Sequence, residues 1–127
     1  MMTRLLLYSA LLLLTFIPQH LLAQQSEIIE LKITGEATDF DKDQQMRLIR
    51  VSDGVVVDSV PLKARRFEKV LRLPTSEPYY ELCTDAGSRI YLFPEPGALK
   101  ISFEREVALG TPVNDKFAQL MDKKNEL

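Results

Sequence analysis

MRLIRVSDGVVVDSVPL, Met46 to Leu62, sets two runs rich in β-branched residues on either side of Asp53-Gly54. Branched side chains suit a pleated surface, and an Asp-Gly pair between two such runs is the strongest short signal of a β-hairpin. The spacing predicts strands over Met46 to Ser52 and Val55 to Leu62. Between them it predicts a type I′ turn, in which Asp53 and Gly54 both take positive φ.

The neighbouring segments repeat the pattern. From Glu27, Ile29, Leu31 and Ile33 alternate with Glu30, Lys32 and Thr34 up to Gly35, the period of a half-buried strand. Ala37 to Gln45 is polar and reads as a loop. Arg66 to Leu73 is a strand with Phe67 and Leu71 on one face, although Val70 and Leu73 blur the register, and Pro74-Thr-Ser-Glu-Pro78 breaks it. Tyr79 to Thr84 and Arg89 to Phe93 flank the turn Asp85-Ala-Gly-Ser88. Leu99, Ile101 and Phe103 alternate with Lys100, Ser102 and Glu104, and Val107 to Leu109 is a short last strand. Seven or eight short strands separated by turn signals predict an all-β fold, an antiparallel β-sandwich or open barrel, over residues 24–110.

Residues 111–127 change period. Thr111 suits a helix cap and Pro112 the first helical position, and Val113, Phe117, Leu120 and Met121 make one apolar stripe. A helix this short is marginal in water unless that stripe lies against something.

Met1 to Arg4 followed by the apolar run Leu5 to Ile17 and a small residue at Ala23 reads as a signal peptide over residues 1–23, cleaved near Ala23. The run is shorter than the ~20 residues that span a bilayer. The expected compartment is therefore the periplasm or cell envelope, with no membrane attachment after cleavage. Loss of Arg4 leaves 15 of the 16 basic side chains against 18 acidic ones, a net charge of −3 with no basic cluster for nucleic acid. About 100 residues remain, enough for one marginal core.

Two absences narrow the chemistry. The one histidine, His20, leaves with the signal peptide, which removes histidine-based triads, general bases and zinc sites. Cys83 is the one cysteine, so the chain has no internal disulfide or CxxC pair. Glu81 and Asp85 beside it in sequence favour a packed, quiet thiol. Asp39-Phe-Asp41-Lys-Asp43 imitates the start of a calcium loop, but Gln44 and Arg50 stand where glycine and a bidentate glutamate are needed. Glu77, Glu81 and Glu95 read as surface charge rather than a glycosidase pair, and Tyr79, Tyr80 and Tyr91 as packing rather than a stacking strip. No catalytic, cofactor or metal residue is assigned.

The order of punctuation carries a resemblance. Gly35, Asp58-Ser59, Phe67, Phe93-Pro-Glu95-Pro96-Gly97, Gly110-Thr111 and Asn114-Asp115, taken together over Glu27 to Leu127, resemble one family. It is the domain of unknown function that precedes the thioredoxin-like domain in exported bacterial thiol–disulfide oxidoreductases of the TlpA and ResA type. The resemblance implies a non-catalytic accessory module, with the Glu-Pro-Gly step a tight connection between core strands and the Gly-Thr…Asn-Asp step the start of a helix leading out of the sandwich. Pro96-Gly97 suits a type II turn, with positive φ at Gly97. In the family that helix continues into a fold bearing CxxC, and this sequence stops at Leu127, so a split or truncated form is implied. The implied partners are a separately encoded thioredoxin-like domain and a second copy bound through the helix. The alternative is a stand-alone binding module for a peptide, glycan or envelope protein, using a strand edge or the tyrosine face.

Overall fold

A computed structural model describes residues 27–38, 40 and 42–126. The expected signal peptide, Asp39, Asp41 and Leu127 lie outside those residues. Eight strands and one helix follow in chain order: β1 (Ile28–Glu36), β2 (Gln44–Arg50), β3 (Val56–Leu62), β4 (Arg66–Pro74), β5 (Tyr80–Cys83), β6 (Arg89–Leu92), β7 (Gly97–Ser102), β8 (Val107–Leu109) and α1 (Pro112–Glu126). They form two four-stranded sheets, β4-β1-β7-β8 and β3-β2-β5-β6, which face each other as a sandwich and do not close into a barrel.

The alternation seen in sequence becomes the division between core and solvent. Leu31 and Ile33 of β1, Leu71 and Leu73 of β4, and Leu99 and Ile101 of β7 meet Met46, Leu48, Val60, Leu62, Leu82, Ile90 and Leu92 of the opposite sheet. Each fully buried side chain of this size is worth about 1.5–3 kcal/mol against exposure. In β4 the blurred register resolves in favour of Phe67, Leu71 and Leu73 inside, and Val70 is exposed.

Three features depart from the sequence reading. One strand pair is parallel: β1 pairs with β7 in register Leu31 to Gly97 through Glu36 to Ser102. The reason is the Phe93-to-Pro96 step, which carries the chain from β6 in one sheet to β7 in the other instead of folding back beside β6. That step contains a contracted turn, Glu95 N–H to Phe93 O at 2.9 Å, and Gly97 has φ 136°, in the positive region.

The second departure concerns the turns. The hairpin at Asp53-Gly54 forms, but its loop is Val51 to Gly54, closed by Gly54 N–H donating to Arg50 O at 2.8 Å, and of these only Gly54 has positive φ. Asp53 instead clamps the loop, accepting from Arg50 Nε at 3.0 Å and Nη2 at 2.6 Å and from Val55 N–H at 3.2 Å. The primed turn lies at Ala64-Arg65, with φ of 51° and 66° and two 3.0 Å bonds between Lys63 and Arg66. Side chains other than glycine and asparagine pay to adopt this conformation. Asp43 accepting from Ala64 N–H at 3.0 Å and Ala37 N–H donating to Arg65 O at 2.8 Å hold it there.

The third concerns the helix. Thr111 is the cap, with its carbonyl accepting from Asp115 N–H at 2.8 Å. The expected stripe is only half covered, however. Asn114 and Ala118 are buried, Phe117 and Met121 are half-buried, and Val113 and Leu120 remain 48% and 58% exposed. The cap, described next, sets the rotation of α1, and it brings Asn114 rather than Val113 against the sheets.

Candidate interaction face

FPEPG and GTPVND form one structure. Glu95 Oε1 accepts from Thr111 Oγ1 at 2.9 Å, from Val113 N–H at 2.8 Å, from Asn114 N–H at 3.2 Å and from Asn114 Nδ2 at 3.3 Å. A carboxylate at a helix N-terminus satisfies amides that have no partner within the helix and opposes the positive end of its dipole. Asp115 closes the other side by accepting from Gly110 N–H at 2.7 Å. Asn114, 1% exposed, accepts from Phe93 N–H at 2.9 Å and donates to Phe93 O at 3.0 Å. Its amide therefore does for the backbone just beyond edge strand β6 what a neighbouring strand would do. Gly110 permits the close packing, since a Cβ there would sit 2.2 Å from Ala98 O.

This junction sets α1 beside β8 and the end of edge strand β6, with Phe117 reaching Tyr91 on the outer side of that strand. Tyr79, Tyr91, Phe93 and Phe117 form a half-buried aromatic cluster there. Tyr79 meets Tyr91 edge-on at 5.3 Å between ring centroids, Tyr91 meets Phe117 at 5.6 Å, and Phe93 meets Phe117 at 5.2 Å. Such contacts add about 0.5–1.5 kcal/mol each beyond burial. The tyrosines expected to pack do so in two different places: Tyr80 is 1% exposed in the core, whereas Tyr79 and Tyr91 share the outer face. Val113 and Leu120 of α1 leave an exposed apolar border beside the rings. The sequence signal was present in the alternation of Tyr79 and Tyr80. What local pattern could not supply was the helix that joins Phe117 to them.

Cys83 lies on the same outer face, between Arg47 of β2 and Arg89 of β6 in register. It is 6% exposed. Burial first, and Glu81 second, hold its thiol above the ordinary value, and the two arginines only partly oppose this. The thiol is packed, as expected of it, with cationic neighbours that sequence adjacency did not reveal.

The three glutamates are engaged separately. Glu95 belongs to the helix cap, Glu81 stands between Ile49 and Tyr91 on the outer face, and Glu77 accepts from Ser52 Oγ at 2.7 Å at one end of the sandwich. Asp43 of the acidic loop is spent on the Ala64 turn. Among the described residues no group of three or more histidine, cysteine or acidic side chains is placed to hold a metal ion.

The other surfaces are occupied differently. An open groove of about 1170 Å³ lies at the Gly35–Phe67 end of the β4-β1-β7-β8 sheet and is rimmed by charge, with Arg66 paired to Glu36 at 3.4 Å and Glu68 to the neighbouring Lys32 at 2.7 Å. At the facing edges of β3 and β4, Asp58 and Lys69 turn inward and pair at 3.3 Å. Asp58 also accepts Ser59 N–H at 2.8 Å, and Pro61 has no N–H to offer. Inward charge and proline are the usual means of keeping an edge strand from recruiting another. The aromatic face with its apolar border is thus the surface best suited to a partner, and no family model, curated protein or solved structure matches the chain.

Proposed function

We propose that the protein is a non-catalytic accessory module, exported to the periplasm or cell envelope, that holds a thioredoxin-like thiol–disulfide oxidoreductase domain against its aromatic face. The observation that carries this reading is the exposure of Val113 and Leu120 beside the half-buried Tyr79–Tyr91–Phe93–Phe117 cluster. A rigid aromatic centre with an aliphatic border has the composition of a protein-binding patch. The family resemblance supports the choice of partner. The residues that carry it are architectural: Glu95, Thr111 and Asn114 build the cap, and Gly110 the close approach.

Titration calorimetry with a purified exported thioredoxin-like reductase tests the reading. Saturable binding is expected, together with its loss in the double variant Val113→Asp/Leu120→Asp, whose positions are exposed and therefore tolerant of charge. Insulin reduction by the protein alone should not exceed buffer. Absence of binding, or binding indifferent to the double variant, would defeat the proposal. The alternative of a stand-alone binding module would use the same face rather than an edge, since Asp58, Lys69 and Pro61 guard the β3 and β4 edges.

A further inference from the structure

The unpaired charges around the aromatic face are nearly all of one sign. On α1, Val113, Lys116, Leu120 and Lys124 follow one another at intervals of three or four residues, and Lys123 lies three beyond Leu120. That spacing puts all five on one side of the helix, and all five are exposed. Phe117 and Met121 are half-buried, so the lysines border the same aliphatic strip that Val113 and Leu120 form. Arg89 extends the basic border onto β6, two residues before Tyr91 on the same side of the strand. Neither it nor the three lysines enters an ion pair or a side-chain hydrogen bond among the described residues. The neighbouring carboxylates are engaged: Asp122 with Arg105, Asp85 with Arg47 at 3.1 Å, and Asp115 and Glu95 with backbone amides at the start of α1. Glu81, opposite Tyr91, is the exception. The whole chain has a net charge of −2, so this positive border runs against the overall balance.

Lysines around an exposed aliphatic strip disfavour two occupants and favour a third. Two copies sharing this face across a twofold axis would bring the same patch together, lysine against lysine. A bilayer fits poorly as well. Val113 and Leu120 are the two large apolar side chains that α1 exposes and Phe117 is turned to Tyr91, whereas a helix lying in a membrane surface buries a broad apolar face. An apolar patch rimmed by carboxylates answers both the strip and its border. Resting on the reading that the aromatic face holds a protein partner, we infer that the partner's docking surface is acidic at its rim, with aspartate or glutamate side chains around an apolar centre that covers Val113 and Leu120. The basic border steers the encounter and fixes orientation, while the apolar centre supplies most of the affinity.

Amide shifts of the protein, titrated with a synthetic amphipathic helical peptide of leucine and glutamate, read this without reference to any one partner. The control is the same peptide with lysine in place of glutamate. Saturable shifts at Tyr91, Val113, Phe117 and Leu120 are expected with the acidic peptide, and binding about tenfold weaker or more with the basic one. The acidic peptide should also weaken once salt rises from about 0.1 to about 1 M and the screening length falls from about 10 to about 3 Å. The triple variant Lys116→Gln/Lys123→Gln/Lys124→Gln, at exposed positions without partners, should lose about tenfold, since rim pairs are individually weak. Vesicles of phosphatidylglycerol should not carry the protein down on sedimentation. If the acidic peptide binds and a thioredoxin-like reductase does not, the acidic rim stands and that choice of partner falls. Reductase binding that ignores both salt and the triple variant keeps the partner and overturns the acidic rim. The inference is also overturned if the acidic peptide binds no better than the basic one, if the vesicles are bound, or if the protein dimerises and Leu120→Asp abolishes the dimer.

Discussion

Replacing Glu95 by alanine removes the acceptor of four hydrogen bonds at the start of α1, two from backbone amides and two from the side chains of Thr111 and Asn114. Water can replace the bond to Val113, which is exposed, but it reaches Thr111 and Asn114 poorly, at 3% and 1% exposure. Each buried donor left without a partner costs about 1–3 kcal/mol, and loss of the anion at the helix N-terminus adds about 0.3–1 kcal/mol. Because the bonds share one oxygen they do not add fully, and a total of about 3 kcal/mol is expected. That is a large part of the ~5–15 kcal/mol that holds a domain of this size together. Tm should fall by roughly 12–24 °C, at about 4–8 °C per kcal/mol. Urea unfolding followed by circular dichroism measures it, with an unchanged m-value expected. Glu95→Gln keeps an acceptor oxygen without the charge and should cost about 1 kcal/mol. If Glu95→Ala changes stability by less than ~0.5 kcal/mol, the size of an ordinary surface substitution, the helix is not held by this carboxylate and the argument for its rotation fails.

Three further outcomes follow from particular contacts. Gly35→Ala would put a methyl group 2.5 Å from Phe67 Cε1 and 2.8 Å from Cζ, and the displaced ring packs edge-on against Phe103, so a loss of about 1–3 kcal/mol is expected in the same unfolding assay. Ala64→Asn places a residue tolerant of the left-handed conformation in the strained primed turn and should raise stability by about 0.5–1 kcal/mol, an increase in Tm that calorimetry can detect. Burial, reinforced by nearby carboxylates, holds the Cys83 thiol and the Tyr80 phenol above their ordinary values. The folded protein therefore keeps these two protons longer than the unfolded chain, and their contribution is complete below the unfolded chain's values and lost as pH rises through the folded ones. Stability measured against pH should decline in that alkaline range, less so in Cys83→Ala, and a thiol reagent at neutral pH should label Cys83 only on unfolding.

What was legible in the sequence was whatever a residue and its near neighbours decide together. Period-two alternation marked the strands, because a strand in a sandwich wets one face, and Thr111-Pro112 marked the helix start, because proline loses nothing at that position. Asp53-Gly54 marked a reversal but misnamed its geometry, since Arg50 draws Asp53 into a wider loop and the primed turn falls on Ala64-Arg65, which carry no local signal for it. The separation of Tyr79 from Tyr80 follows from strand alternation. The gathering of Tyr79, Tyr91, Phe93 and Phe117 does not, because it depends on where α1 is docked.

The amino-acid order alone thus determined a succession of short strands followed by a helix, with no histidine after His20 and a single cysteine, Cys83. Tertiary structure decided the parallel pairing of β1 with β7, the outward turn of Val113 and Leu120, and the burial of Glu77 Oε2 with no hydrogen-bond donor among the described residues. These are set by partners far apart along the chain: Glu95 meets Thr111 and Asn114, Ser52 meets Glu77, and Asp58 meets Lys69. Such contacts form only after two sheets have buried their common core, so no local pattern announces them.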